Sequence, residues 1–349
     1  MRGLLLRSVT LFMKLKLVVL SIFMPLFCLS QDLAADVLLF HGSHAKNEDW
    51  YQPSDDPKKG LFFKELSLQA SRLGLGKVIP CRWSGMSGLP GKASVREHIK
   101  AAEAFAVGIR AGFAQDRPHN VTRLEGPLHI VGHSNGAILA IILSHLLCNP
   151  HSPEFSGKAL YPLFEESKNA VLTDKKIDKN IHQCRQWFLS AAERARKSFD
   201  PNDRMQIKIA QLIMIAAPIS RSFYPVVNMR VVDKVCSLFS SGDGVQKFAG
   251  NPRYPKGPNV LNFRVSMRSP SGGVLHPMHT QMHHHAIARY LLNLMSDVVD
   301  QKNIQPSAFG SIGCVDVLFQ QFTDDLQEQP PLFEITQNLK KHPFPASGF

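Results

Sequence analysis

The 349-residue sequence lacks the signatures of a repetitive or disordered chain. It shows no internal repeat and no low-complexity tract, which argues against a solenoid or a fibrous architecture. Hydrophobic residues make up 44% of the chain and charged residues 19%, an ordinary balance for a globular protein. The length therefore predicts one large domain with additions, or two domains.

Cysteine is scarce, and none of the six cysteines forms a Cys-x-x-Cys pair. Removal of a leader ending at residue 30 would leave five of them, and an odd number argues against a complete disulfide framework. The spacing is compatible with one or two bridges in an oxidising compartment and equally with free, buried thiols.

A nucleic-acid-binding motif is also missing, although the formal net charge is +12. The basic residues are spread along the chain, and residues 1–30 contribute four of them and no acidic residue. We expect a solvated basic surface that could attract anionic lipid or the cell envelope, and no nucleic-acid partner.

Residues 1–30 differ from the rest of the chain. The uncharged run from Leu17 to Leu29 follows four basic residues and is shorter than the about 20 residues that a membrane-spanning helix needs. A basic start before an apolar segment predicts a signal peptide cleaved after Ser30, and hence a secreted, periplasmic or cell-envelope protein. The alternative is an uncleaved N-terminal segment that anchors the protein in a membrane.

Short apolar runs alternate with amphipathic segments along most of the chain. This order predicts an α/β fold, with a mostly parallel central sheet and helices on both faces. The predicted strands cover residues 36–40, 77–80, 128–131, 212–218, 235–239 and 260–266, and the predicted helices cover 61–73, 94–113, 137–147 and 286–298.

The alternation pauses after Pro150. Residues 151–205 are polar, with one helix predicted from the helical spacing between Ile177 and Ala195. This insertion is either a helical lid or a structural excursion. Residues 301–349 are interpreted as a C-terminal extension, so the main domain spans residues 31–300.

The pentapeptide Gly132-His133-Ser134-Asn135-Gly136 matches G-x-S-x-G. It follows an apolar strand and opens an apolar helix, the context in which a nucleophilic serine projects from a sharp, strained turn. Glycines on both sides leave room for the neighbouring strand and helix. The motif makes Ser134 the candidate nucleophile.

With this motif in this context, the stretch from Val37 to Val298 resembles the α/β-hydrolase superfamily. It is most similar to the compact lipases and esterases in which a strand ends in His-Gly, here His41-Gly42. The resemblance implies the α/β-hydrolase fold and a serine hydrolase without a cofactor. It does not cover residues 151–205, an insertion longer than compact members carry, or the C-terminal extension.

The resemblance also implies an order of catalytic residues: serine, acid, histidine. The acid belongs in the loop after the strand Val235–Phe239, where Asp243 matches. Its carboxylate would hold the imidazole in one tautomer. The alternative interpretation of Asp243 is an Asp-Gly turn with no catalytic role.

The histidine belongs just before the closing helix. There His279-Thr280-Gln281-Met282 resembles the family's frequent lead-in to that helix, so His279 is the candidate general base and then general acid. His276 is the alternative base.

The family's oxyanion hole uses two backbone N–H groups. By resemblance these belong to Ser43, after His41-Gly42, and to Asn135, after the nucleophile. A plain strand end is the alternative interpretation of His41-Gly42.

Five histidines between residues 276 and 285 raise the alternative of a metal site, because His279 and His283 have the i, i+4 spacing of helical zinc ligands. No glutamate follows His279 as in HExxH, and no third ligand is evident. We therefore expect no metal, and the resemblance to serine hydrolases implies that no cofactor is required.

These expectations predict hydrolysis of a carboxylic ester through an acyl-enzyme on Ser134. The substrate would be a small-molecule ester or a lipid ester. A thioesterase or an amidase or peptidase would use the same triad, so both stay open. A non-catalytic hydrolase-fold protein that binds a lipid or a partner is the alternative of another class.

Overall fold

The computed structural model describes the core of the chain and the elements that surround the candidate site. The described residues are 35–42, 48–56, 58–83, 92–113, 122–149, 175–198, 205–219, 224–249, 257, 259–269, 271–304, 309, 312, 314–319 and 330–336. The signal peptide or anchor predicted for residues 1–30 lies outside them and stays a prediction.

A nine-stranded, mostly parallel sheet forms the centre of the described residues, in the order β2-β1-β3-β4-β5-β6-β8-β9, with β7 paired to β6. Only β7 and β9 run antiparallel to their neighbours. In the first strand, Val37 lies opposite Val78 of β2 and His129 of β3. The strands are β1 (Val37–Phe40), β2 (Val78–Cys81), β3 (Leu128–His133), β4 (Ile209–Ile215), β5 (Val232–Phe239), β6 (Val260–Arg268), β7 (Val274–Leu275), β8 (Cys314–Phe319) and β9 (Leu332–Thr336).

Helices cover both faces of the sheet. They are α1 (Leu61–Arg72), α2 (Lys92–Phe113), α3 (Asn135–Leu146), α4 (Lys175–Ser198), α5 (Gly244–Ala249), α6 (His285–Ala288) and α7 (Leu294–Lys302), with 3₁₀ helices at Asp49–Tyr51 and His279–His283. Helices α2, α3 and α4 pack in one apolar cluster and α1, α6 and α7 in another. The predicted α/β class is thus confirmed.

Strand β1 shows why the central strands are apolar at every position. Leu38 and Phe40 belong to the cluster on one face, and Val37 and Leu39 to the cluster on the other. Successive side chains of a strand point to opposite faces, so a strand covered on both sides buries every residue.

Helix α3, which follows the candidate nucleophile, is the most deeply buried helix of the described residues. All its residues from Gly136 to Leu146 are buried. A helix that is apolar all round can be stable only inside the protein. The Arg110 side chain donates to the carbonyls of Leu147 and Cys148 at its carboxyl end, where helix carbonyls lack partners within the helix.

The insertion after Pro150 contributes a packed helix to the core. The helix predicted between Ile177 and Ala195 is present as α4, and its Cys184, Phe188 and Ala192 are buried in the cluster with α2 and α3. Residues 151–174 and 199–204 lie outside the described residues. The described part of the insertion is therefore a structural layer, and it provides no indication of a lid.

Part of the predicted C-terminal extension belongs to the central sheet. Strand β8 pairs in parallel with β6, and β9 pairs with β8. The closing helix differs from the single helix predicted over residues 286–298, because it is divided into α6 and α7.

Five cysteines fall within the described residues, and all are buried thiols that form no disulfide there. Of the two alternatives left by the sequence, buried thiols therefore hold for these five. Among the described residues, no helix has the length and apolar character required to cross a membrane.

Candidate functional site

The candidate nucleophile stands on a strained turn between β3 and α3. Ser134 has φ 54° and ψ −125°, in the region that residues other than glycine rarely adopt. Its N–H donates to the Ile215 carbonyl of β4 at 2.8 Å, which fixes the turn to the neighbouring strand. Such strain persists only where the surrounding structure enforces it, and it occurs frequently at functional sites.

Three glycines allow this turn to pack tightly. A Cβ on Gly132 would lie 2.6 Å from backbone atoms of Ala137, and one on Gly136 would lie 2.5 Å from the His41 carbonyl oxygen. A Cβ on Gly42 would lie 2.9 Å from the Ser134 Cβ. The glycines of the motif and of His41-Gly42 are therefore required by close contacts.

Gly132→Ala is expected to lower the free energy of unfolding by at least about 2 kcal/mol, because backbone atoms of Gly136 and Ala137 leave no room for the methyl group. Urea denaturation measures this change. Gly108→Ala is the matched control, since a Cβ there meets nothing within 4 Å, and helix propensity should stabilise that variant by up to about 1 kcal/mol. Equal unfolding midpoints for wild type and Gly132→Ala would contradict the steric argument.

Three side chains from distant parts of the sequence form a connected hydrogen-bonded chain. His279 Nε2 lies 2.8 Å from Ser134 Oγ, and His279 Nδ1 lies 2.9 Å from Asp243 Oδ2. A carboxylate oxygen only accepts, so Nδ1–H donates to Asp243 and Nε2 is free to accept from the serine hydroxyl. The side chain of Asp243 is fully buried and that of His279 is 17% exposed.

The loop that carries Asp243 is held from several sides. The Gln246 N–H donates to Asp243 Oδ1 at 3.0 Å, so the carboxylate also caps the first turn of α5. The Gln246 amide donates to the Ala217 carbonyl at 3.3 Å, and its oxygen accepts from the Ser240 N–H. One carboxylate oxygen is thus held by the helix, which leaves the other for His279.

Gln246 was not among the residues predicted for the site. A signal for it is present in the sequence, because Asp243 and Gln246 have the three-residue spacing of a capping box. Trp83 was missed as well, since it is distant in sequence from every motif.

The alternative base, His276, has a different partner. Its Nδ1 lies 3.1 Å from Ser266 Oγ, and its side chain is exposed. The His276 backbone carbonyl lies against Gly242, where any Cβ would collide with it. Of the two candidate histidines, the structure brings His279 to Ser134. The His276 backbone instead packs the segment that carries His279 (residues 276–285, the histidine loop) against the segment that carries Asp243 (residues 240–243, the acid loop).

His41 and Gly42 lie at the end of β1 beside the nucleophile turn. Trp83 N–H donates to His41 Nε2 at 3.2 Å, so Nδ1 carries the proton and donates to the Gly42 carbonyl at 2.7 Å. The Trp83 indole donates to the His41 carbonyl at 2.8 Å. Burial lowers the pKa of His41, which favours this neutral form.

Of the two predicted oxyanion donors, the structure describes only Asn135. Asn135 is half-buried and begins α3 directly after Ser134, at the positive end of the helix dipole. Ser43 lies outside the described residues, so its part in an oxyanion hole stays a prediction.

The histidine-rich segment has a geometry different from that expected for a helical zinc site. His279 and His283 are in a 3₁₀ helix, where residues four apart point about a third of a turn away from each other. Both ring nitrogens of His279 are already engaged by Ser134 and Asp243. Within the described part of the chain, no group of three or more potential ligands is placed to hold a metal ion.

Comparison of the chain with protein-family models, curated proteins and solved structures found no match. The functional assignment therefore depends on the residues and geometry of the site.

Proposed function

We propose that this chain is a serine hydrolase of the α/β-hydrolase fold that cleaves carboxylic esters through an acyl-enzyme on Ser134. The hydrogen-bonded chain from Ser134 through His279 to Asp243 carries the proposal. Three side chains separated by more than 30 residues in sequence meet in the order that acyl transfer requires.

In the proposed reaction, the Ser134 oxygen attacks the ester carbonyl while His279 Nε2 accepts the hydroxyl proton. Asp243 stabilises the resulting imidazolium through its bond to Nδ1. His279 then gives the proton to the leaving alcohol. A water molecule, deprotonated by the same nitrogen, attacks the acyl-enzyme, and His279 returns the proton to Ser134 Oγ as the bond to the acyl carbon breaks and the acid leaves.

Backbone N–H groups at Asn135 and Ser43 are proposed to stabilise the oxyanion of each tetrahedral intermediate. Each such donor is typically worth about 3–4 kcal/mol. The bonds made by His41 and Trp83 support this role, because they fix the Gly42 peptide group beside Ser134.

The order of site residues along the sheet supports assignment to the α/β-hydrolase fold. The serine follows β3, the acid follows β5, and the histidine follows the β6–β7 hairpin, so the residues are brought together at one edge of a parallel sheet. No lid is part of the proposal, because α4 is packed against α2 and α3.

An ester with an apolar acyl group is the substrate class that the surroundings favour. Val274, Leu275 and Met278 are 57%, 53% and 57% exposed, within five residues of His279. Exposed apolar side chains this close in sequence to the candidate base would suit a surface that contacts apolar substrate or lipid. Secretion or attachment to the cell envelope belongs to the same proposal and depends on the leader predicted at residues 1–30.

Labelling with a fluorophosphonate tests the proposal. We expect one phosphonyl group per chain, found by peptide mass mapping on the peptide that contains Ser134. Short- and long-chain nitrophenyl esters, measured beside thioester and peptide substrates, then define the bond that is cleaved. A folded protein that resists the label and hydrolyses none of these substrates would make the chain a binding protein and end the proposal.

A further inference from the structure

His133, the residue before the candidate nucleophile, contacts the histidine loop directly. Its side chain is buried, and its Nε2 lies 3.1 Å from the backbone carbonyl oxygen of His279. A carbonyl oxygen only accepts, so Nε2 carries a proton and donates it. Neighbouring residues of one turn therefore bind two parts of His279: Ser134 contacts the ring and His133 the backbone.

The surroundings of His133 keep it neutral. Its Nδ1 has no hydrogen-bond partner among the described residues and faces Gly42, whose added Cβ would lie 3.2 Å away. The rings of His279 and His283 each lie with centroids 5.1 Å from that of His133, and His41 is a further neighbouring imidazole. Burial lowers the pKa of His133 well below its ordinary range. A second proton would have no acceptor on Nδ1, so the tautomer that donates from Nε2 is the stable one.

The histidine loop needs such an anchor on this side. His279 follows a hairpin whose residues Val274 to His276 are exposed, and Met278 is exposed as well. The Met278 N–H is held by Gln281, within the same 3₁₀ turn. The bond from His133 instead joins His279 to the strand that positions Ser134.

We propose that His133 is a positioning residue, whose Nε2–H holds the His279 backbone so that the imidazole stays aligned with the Ser134 hydroxyl. The proposal rests on the proposed serine hydrolase function. Misplacement of a catalytic group by about 1 Å can lower the rate roughly a hundredfold, so one bond to the backbone of His279 has a large effect on turnover.

The test compares variants with and without a donor at position 133. His133→Phe keeps a ring but removes the donor, and His133→Leu is a second donor-free variant measured in parallel. We expect kcat per active site and the rate of fluorophosphonate labelling to fall by about tenfold to a hundredfold, with KM changed by less than about threefold. His133→Gln keeps an N–H donor and should recover most of the loss.

His145→Phe is the matched control. His145 is also buried, its Nε2 lies 2.6 Å from the Val226 carbonyl oxygen, and its Nδ1 also lacks a partner among the described residues. It lies near the far end of α3, so its loss should lower the unfolding temperature and leave kcat per labelled site unchanged.

Two results would overturn the positioning role. One is wild-type kcat per active site in the folded donor-free variants. The other is an equal loss in the Gln, Phe and Leu variants, which would mean that ring packing matters and donation does not. Failure of the proposed function has a different signature, because the wild type itself would neither accept the label nor turn over esters.

Discussion

If the proposed function is right, replacing Ser134 by alanine is expected to lower kcat for ester hydrolysis by about a millionfold, as seen when the triad serine is removed from an established serine hydrolase. Without the Oγ atom no acyl-enzyme can form, and His279 Nε2 loses its partner at 2.8 Å. The proposed oxyanion donors would still polarise the carbonyl, so a small residual rate above the uncatalysed one should persist. Fluorophosphonate labelling should disappear together with turnover.

The variant should remain folded, which separates chemistry from stability. Alanine keeps the Cβ of Ser134, so the strained φ of 54° is unchanged and only one hydrogen bond is lost, a change of about 1 kcal/mol. Ser144→Ala provides the control, because this buried hydroxyl on α3, the helix that follows Ser134, donates to the Ile141 carbonyl and accepts from the Asn228 N–H. That variant should lose stability while its kcat is preserved. A folded Ser134→Ala protein with wild-type turnover would place the chemistry elsewhere.

Local signals in the sequence were sufficient to predict strands β1 to β6 and the tight turn at Ser134. Runs such as Leu128–Val131 are buried on both faces, so their composition alone identifies them. The turn at Ser134 could be predicted from five consecutive residues, because close packing of the strand and the helix requires a glycine on each side of it. Features that depend on contacts within a few residues were therefore predictable.

The C-terminal strands were not predictable in this way, because their burial depends on distant partners. Asp316 places a charged residue within β8, which weakens the apolar pattern. In the folded protein its carboxylate accepts two hydrogen bonds from the Arg264 guanidinium on β6, at 2.5 and 2.6 Å. A charge paired across two strands can occupy a half-buried position, and the sequence of one strand alone does not reveal the pair.

The break in the closing helix also arises from tertiary contacts. Its apolar spacing continues through Leu291 and Leu292, and this spacing predicted a single helix. The Leu292 N–H instead donates to the Gln69 side chain of α1, and the Tyr290 and Leu291 N–H groups bond carbonyls three residues earlier. Packing against α1 thus outweighs helical periodicity.

Asp243 and His279, the candidate acid and base, were intermediate cases. Motif order predicted the loops in which both residues lie, because parallel strands end at the same edge of the sheet. It could not by itself separate His276 from His279, since both precede the closing helix in the same loop. The bond to Asp243 and the bond to Ser266 distinguish them in the folded protein.

Alanine at these two histidines should therefore have opposite consequences. His279→Ala removes the only imidazole that the described residues place within hydrogen-bond distance of Ser134 Oγ, so kcat should fall roughly 10⁴- to 10⁶-fold. His276→Ala removes an exposed side chain with a weak bond to Ser266, and kcat should stay within about twofold of wild type. Both are measured as steady-state hydrolysis of a nitrophenyl ester, with thermal unfolding to verify folding.

The pair of variants is decisive because the two residues share a loop and differ in their contacts. The His276 backbone carbonyl, which lies against Gly242, is retained in His276→Ala, so the junction between acid loop and histidine loop persists. A general loosening of the loop would lower both rates together. If the His276 variant were inactive and the His279 variant active, the general base would be His276. The bond from His279 to Asp243 would then lose its proposed role in proton transfer.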